Sequence, residues 1–386
     1  MLDGEKENIQ MALTGSMSAG ISGLKAHMDA LTVVGNNVAN VNTYGYKPGR
    51  VTFKESIYST QAAGSDGTDA VGGTNPRQTG YGCSVGTIDL DMSTMNVDST
   101  GRDSDVAIRG DGFFLVGDKL GVDIDNLDSL LLTRVGKFRI DNNGYLTDNY
   151  GNIVYGFAAC NGTNAGVNDI AGTPNAQPGL AGDAISTQLV PLRLPLAAKG
   201  NGADANIAGA ETGDAIYPGV TDGVGTNNWD GLNYSDYEAI TYNSLSIGAD
   251  GKVVCINDKT GDPVTIGYIA MATVPNPAGL THTEGPYYQA LEGAGKLAIN
   301  TAGGALSGKY LNNQTAAGGA GGAGAPDPDT LLGKGADLLS GFLEQSGTDL
   351  ATEFANMIIY QRGYQANTRI VTVTDAMLEE LVNMKR

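Results

Sequence analysis

MSAGISGLKAHMDALTVVGNNV, residues 17–38, carries large apolar side chains at alternating intervals of four and three: Met17, Ile21, Leu24, Met28, Leu31, then Gly35 and Val38. That spacing is a heptad seam of the coiled-coil type, broken once by glycine, and it predicts a long helix. Taken alone it fits equally well an amphipathic helix packed on its own domain. The other end of the chain repeats the pattern. Leu350, Phe354, Met357, Tyr364, Val371, Leu378 and Val382 keep the same spacing, with Gln361, Thr368 and Asp375 at the intervening seam positions. A second stripe runs beside it through Ile370, Met377, Leu381 and Met384. From Ser346 to Arg386 there is no proline, and glycine occurs only at Gly347 and Gly363, so a second long helix is predicted. Lys385 and Arg386 suit the negative end of its dipole.

Two such helices can hide their seams in each other or against the same helices of further copies. Each large apolar side chain that leaves water contributes roughly 1.5–3 kcal/mol. A lone pair leaves its outer stripe wet, whereas many copies in a tube cover it. The sequence therefore points to a structural subunit that polymerises through its ends.

Between the ends the period changes to two. Ile88, Leu90 and Met92 alternate with Thr87, Asp89 and Asp91, as in a half-buried strand. Gly112 to Val116 (GFFLV) reads as a compact apolar strand. Phe138 and Ile140 lead into Asn143-Gly144, a hairpin signal, and Tyr145 to Tyr155 returns. Leu245 and Ile247 precede Asp250-Gly251, and Val264-Thr265-Ile266 opens another strand after Gly261. Glycine, at 57 of 386 residues, suits the many tight turns of β-structure. The fold class expected is α+β: a discontinuous terminal helical, coiled-coil-like domain with one or two β-rich domains in the middle.

The boundaries follow composition. Residues 1–10 form a polar extension. Residues 11–45 with 340–386 make the helical polymerisation domain, and 46–75 a connector. Residues 76–158 with 286–339 make an inner β-rich domain, and 159–285 an outer β-rich insert. Asn161 to Tyr234 is rich in glycine, alanine, asparagine and proline, and Thr315 to Thr330 is a low-complexity linker.

The charge balance, 42 acidic against 23 basic residues for a formal −19, offers no basic face to a nucleic acid and keeps monomers apart. No apolar run reaches the roughly 18–20 residues that cross a bilayer, and no cleavable secretory leader is visible. Cys83, Cys160 and Cys255 lie far apart, without metal-ligand spacing, and are expected as small buried hydrophobes. His27 and His282 have no ligand or nucleophile partners, so no catalytic residue, metal or cofactor is expected. Gly319 to Gly324 spells a dinucleotide fingerprint but leads into Pro326 rather than a helix. Asp123, Asp125 and Asp128 lack the glycine and distal glutamate of a calcium loop. Trp229 with Tyr234, Tyr237 and Tyr242 keeps a second class open, a secreted β-protein that binds glycans on an aromatic platform.

One helix end is unusually polar. GNNVANVNTYGYK, residues 35–47, holds Asn36, Asn37, Asn40 and Asn42, more amides than one helix terminus needs, which favours a packed polar contact between copies. That segment resembles the N-terminal signature of the bacterial flagellar rod and hook family. LEQSGTDLATEFANMIIYQRGYQANTRIVTVTDAML, residues 343–378, is similar to the same family's C-terminal signature. Asp111 to Val116 (DGFFLV) and Ile266 to Leu280 (IGYIAMATVPNPAGL) also resemble family segments. A departure is Ser346-Gly347-Thr348, where members commonly have Ser-Asn-Val, a change expected to loosen the start of the helix.

The resemblance implies an extracellular tube that carries motor torque, built of subunits exported without a cleaved leader. Its implied partners are itself, rod subunits, a hook cap, a hook–filament junction protein and the flagellar export apparatus. The terminal helices would line the tube, with β-domains outside sliding as it bends. The length of the middle favours the hook end of the family over the distal rod end, and rod and junction roles remain alternatives. Carried onto this chain, the apolar contacts are Ile21, Leu24, Met28, Leu31 and Val38 with Phe354, Met357, Tyr364, Val371 and Leu378. Asn36, Asn37, Asn40, Gln361, Arg362 and Asn367 would supply the polar ones.

Overall fold

The computed structural model describes residues 2–66, 72–117, 130–160, 168–169, 184–185, 189–198, 237–258, 261, 263–291, 293–295, 297–301 and 336–383. The chain divides into two units. The first comprises Met1–Thr43, Lys47–Asp91 and Ser346–Arg386, the second Tyr44–Tyr46 and Met92–Gln345.

The first unit holds both helices, α1 (Leu2–Ala39) and α2 (Leu350–Asn383). Asp349 opens α2, with Oδ1 accepting from the Ala351 N–H at 3.1 Å and Oδ2 from the Thr352 hydroxyl at 2.6 Å. Those bonds hold its carboxyl below the usual carboxylate range, the Thr352 bond most of all. Ser346 adds a turn of its own, its Oγ accepting from the Thr348 N–H at 3.3 Å. A capped start thus survives the Ser-Gly-Thr departure. The stretch expected as a connector supplies strands instead: β1 (Gly49–Glu55) and β2 (Tyr58–Ala62) pair antiparallel with β4 (Cys83–Leu90) and β3 (Arg77–Gly80). A two-stranded ribbon is marginal alone and needs support. Here α1 provides it, through Ser22 Oγ donating to the Tyr81 carbonyl at 3.3 Å and Asn37 bonding both backbone groups of Gly49.

The second unit is β-rich. Among the described residues its strands are β5 (Val97–Ser99), β6 (Val106–Arg109), β7 (Phe113–Gly117), β8 (Leu131–Thr133), β9 (Arg139–Ile140), β10 (Leu146–Thr147) and β11 (Ile153–Cys160). After the short β12 (Asn168–Asp169), β13 (Ala184–Ile185), β14 (Val190–Pro191), β15 (Leu196–Ala198) and β16 (Tyr237–Ala239) come three longer strands. These are β17 (Tyr242–Ile247), β18 (Lys252–Asn257) and β19 (Pro263–Thr273). The last are β20 (Thr281–His282), β21 (Tyr287–Gln289), β22 (Ala298–Thr301), β23 (Asp337–Ser340) and β24 (Phe342–Glu344).

The GFFLV segment is the buried strand it reads as, every residue of β7 being buried. Asn143-Gly144 turns β9 into β10, with Gly144 at φ 82° and the Asp141 carboxylate accepting from the Asn143 and Tyr145 N–H groups. Asp250-Gly251 likewise joins β17 to β18. Pairing crosses the expected domain boundary. β19 bonds to β7, β11, β18 and β22 in one antiparallel sheet, so β18 and β19, expected in the outer insert, share a sheet with β7 and β11. Period two reveals a strand and its buried face but not its partner, because sheet pairing is non-local. The core sits on this sheet, around Phe114, Phe138, Val154, Leu192, Val253, Ile269 and Met271, with the Phe114 and Phe138 rings edge-on at 5.1 Å. Cys255 is buried there, and desolvation pushes its thiol up to about 11. Cys83, on the ribbon, is only half-buried.

The Tyr287 hydroxyl donates to Asp148 Oδ2, while Asp148 Oδ1 accepts from the N–H groups of Tyr150 at 2.9 Å and Asn152 at 3.0 Å. Burial first, then the bond to Asp148, raises the Tyr287 phenol above its ordinary value near 10. The folded chain thus binds that proton more tightly than the unfolded chain. Its contribution is complete below about pH 10 and is lost as pH climbs toward the folded value. Chemical denaturation between pH 8 and 11 should show the unaltered chain losing stability above pH 10 faster than Tyr287→Phe. Parallel curves would contradict this.

Asn161 to Val167, Trp229, Tyr234, the Asp123–Asp128 cluster, Thr315 to Thr330 and Met384 to Arg386 lie outside the described residues. Among the described residues no helix is long and apolar enough to cross a membrane.

Candidate assembly site

α1 and α2 pack together within the first unit, antiparallel: Gly23 faces Asn367, His27 faces Gly363, and Asn37 faces Glu353. The face of α1 turned inward is not the predicted seam. Gly20, Gly23, Ala26, Ala30, Val34 and Asn37 are its buried residues, with Ala30 at 0% exposure. They recur every three or four positions, as a helix face must. Small side chains let the backbones approach closely. A Cβ on Gly23 would stand 2.8 Å from Asn367 Nδ2, and one on Gly363 would stand 2.7 Å from the His27 ring. His27 lies in an aromatic cluster, 5.6 Å from Phe53 and 6.2 Å from Tyr360.

With the small residues of α1 turned inward, several large ones remain outside. Met28 keeps 50% exposure and Phe354 49%, and Ile21 and Leu350 are also exposed. Leu24, Leu31, Val38, Met357, Tyr364, Val371 and Leu378 are half-buried, and Val371 packs against α1, its Cγ2 3.2 Å from where a Cβ on Gly20 would stand. On α2 the exposed apolar set continues through Ile358, Ile359, Ile370, Val373, Met377 and Val382. The ribbon adds Phe53, Ile57, Tyr58, Tyr81 and Ile88. Ile88 occupies the strand predicted for it, yet its side chain stays 52% exposed. Monomers rarely expose apolar patches beyond a few hundred Å², and larger ones mark interaction surfaces.

The polar candidates separate. Asn36, Gln361 and Arg362 are exposed, and Asn40 and Asn367 half-buried. Asn40 Nδ2 donates to the Asn36 carbonyl and Oδ1, both at 3.0 Å, a local helix-end arrangement. Asn37 is 1% exposed. Its Nδ2 donates to the Gly49 carbonyl at 2.9 Å and Glu353 Oε1 at 3.0 Å, and its Oδ1 accepts from the Gly49 N–H at 3.0 Å. Its amide works inside the chain. The sequence reading missed the small-residue face, although glycines and alanines at helical spacing announce it.

Two family descriptions match the segments that carry these surfaces: "Flagella basal body rod protein" over residues 17–47, and "Flagellar basal body rod FlgEFG protein C-terminal" over residues 339–384. Over nearly its whole length the chain is 34% identical to the flagellar basal-body rod protein FlgG of Bacillus subtilis, covering 96% of this chain and 99% of that one. The chain belongs to the flagellar hook and basal-body rod family. It is also 27% identical to the flagellar hook protein FlgE of Borreliella burgdorferi, over 96% of this chain and 99% of that protein. With the hook protein FlgE of Salmonella typhimurium the identity is 25%, over 96% and 100%. A hook/rod family chain is a structural subunit of the flagellar basal body or hook. Chains of this family polymerise within the flagellar axial structure.

Proposed function

We propose that the chain is a subunit of the flagellar hook, polymerising outside the cell into the flexible tube that passes torque from the rod to the filament. One observation supports this most: α1 meets α2 through its small side chains, Gly20, Gly23, Ala26 and Ala30, and leaves Ile21 and Met28 outward, as α2 leaves Phe354 and Ile358. Intramolecular folding thus leaves the heptad seams of Ile21 to Val38 and Phe354 to Leu378 available, and coiled-coil-type packing is completed between copies. Asn36, Asn40, Gln361, Arg362 and Asn367 flank those seams as polar contacts, and Asn37 organises the helix end behind them. Export through the flagellar apparatus, joining to rod subunits, and growth under a hook cap up to a junction protein follow from that role.

A distal rod subunit is the second reading, and the 34% identity to the Bacillus subtilis rod protein favours it. The hook alignments run to 474 and 455 positions, more than the 386 residues here, so those hook proteins carry segments that this chain lacks. Length by itself therefore does not separate the two. Assembly does. Purified chain, concentrated and viewed by electron microscopy, should form curved, bendable tubes. Straight tubes would favour the rod, and a chain that stays monomeric at every concentration would sink both.

A further inference from the structure

The turn between β9 and β10 carries a chemistry of its own. Asn143 precedes Gly144, and an Asn-Gly pair is prone to modify itself, because glycine has no Cβ to keep its nitrogen off the asparagine side chain. In that reaction the Gly144 nitrogen attacks Asn143 Cγ. A Cγ–N bond forms, the Cγ–Nδ2 bond breaks, and Nδ2 leaves as ammonia with the proton given up by the Gly144 N–H. Water then opens the five-membered ring, leaving aspartate or isoaspartate. One water is consumed and one ammonia released. Isoaspartate would carry an extra backbone atom into the hairpin that pairs Ile140 with Leu146, and either product would set a new carboxylate beside Asp141.

We infer that Asn143 is a latent self-modification site, and that Arg193 and Asp141 hold it closed by fixing the peptide plane between Asn143 and Gly144. The Asn143 carbonyl and the Gly144 N–H belong to one planar unit, which must swing round for the nitrogen to reach Cγ. Both ends of that plane are tied. Arg193 Nε donates to the Asn143 carbonyl at 3.0 Å, and the Gly144 N–H donates to the Asp141 carbonyl at 3.0 Å. The next plane is tied too, the Gly144 carbonyl accepting from the Leu194 N–H at 2.7 Å. Asp141 also holds the residue under attack: its Oδ1 accepts from the Asn143 N–H at 2.9 Å and its Oδ2 from Asn143 Nδ2 at 3.4 Å. Arg193 is itself positioned, its guanidinium 4.9 Å from the centre of the Tyr145 ring in a strand bridge with that residue. Gly144 is buried, which keeps solvent base from its N–H. A cation on the Asn143 carbonyl makes the Gly144 N–H more acidic, and acidity alone would speed the reaction. Geometry and acidity therefore predict opposite effects of removing Arg193.

Ageing the full chain in mildly alkaline buffer tests this. Mass spectrometry after digestion reads conversion at Asn143 as the gain from amide to acid, and backbone fragmentation separates isoaspartate from aspartate. The chain unfolded in guanidinium sets the unconstrained rate. Folded, Asn143 should convert roughly 10- to 100-fold more slowly, the factor that breaking two or more hydrogen bonds adds to a barrier. Arg193→Met removes the donor to the Asn143 carbonyl and keeps an apolar stem on Tyr145, and it should speed conversion in the folded chain roughly tenfold. Asp141→Ala should also speed it, by releasing Nδ2 and the Asn143 N–H. Should that variant loosen the hairpin, seen as a lower Tm, the Arg193 variant decides alone. Folded chain that converts as fast as chain in guanidinium would overturn the inference. So would an Arg193→Met chain that converts no faster than the unaltered one, since the guanidinium would then act through acidity or not at all.

Discussion

Replacing Glu344 by alanine is expected to lower the stability of the β-rich unit by about 3–5 kcal/mol, the usual cost of leaving one partner of a buried ion pair alone. Glu344 and Arg134 are both buried side chains, with Arg134 Nη1 3.8 Å from Glu344 Oε2. Glu344 Oε1 accepts from the Met95 N–H at 3.0 Å, and the Glu344 carbonyl accepts from the Gly45 N–H at 2.8 Å. Arg134 donates to the Gly110 carbonyl at 2.9 Å and lies over the Phe113 ring, 5.5 Å from its centre. Desolvation already pulls the guanidinium below its ordinary value, against the pull of Glu344 and Asp111. Without Glu344 that opposing pull weakens and the Met95 N–H loses its acceptor. Gly45, at φ 68°, keeps its bond because the carbonyl belongs to the backbone. Urea denaturation followed by tyrosine fluorescence should show the loss, while the apolar pair Arg134→Met with Glu344→Leu should recover most of it. A change below about 1 kcal/mol for Glu344→Ala would mean that water reaches the pair and screens it.

Such a charged pair illustrates what the sequence conceals. Nothing near Arg134 or Glu344 announces that residues so far apart share a buried site. Local rules did reach the elements: both terminal helices, the strand at Phe113 to Val116, the Asn143-Gly144 hairpin and the turn at Gly251. They are set by periodicity and by turn chemistry, which act over a few residues. Pairing is different. β19 bonds to four other strands, and its own alternation cannot name them. The same limit explains the helix face. A heptad seam identifies the side of a helix that has to be covered, but not whether the cover comes from the same chain. Here Gly20, Gly23, Ala26 and Ala30 take the place inside, and Met28 and Phe354 are left exposed.

The asparagine-rich helix end sets up the other large effect. Asn37→Ala should free Gly49 from α1, because it removes the acceptor of the Gly49 N–H and the donors to the Gly49 carbonyl and Glu353 Oε1. Each buried group left without a partner costs about 1–3 kcal/mol, and these three share one site, so a combined loss of about 3–4 kcal/mol is expected. Since 1.4 kcal/mol is a factor of ten, protection of the Gly49 amide against hydrogen exchange should fall roughly 100- to 1,000-fold. The exposed neighbour offers a control. Asn36→Ala removes an acceptor for Asn40 Nδ2 at a solvated position and should change stability by no more than about 0.5 kcal/mol. The contrast is informative because the two residues are adjacent and identical in chemistry. One is turned toward Gly49 and α2, where water cannot replace its bonds, and the other toward solvent, where it can. Equal behaviour of the two variants would show that the Asn37 amide is not what ties β1 to both helices.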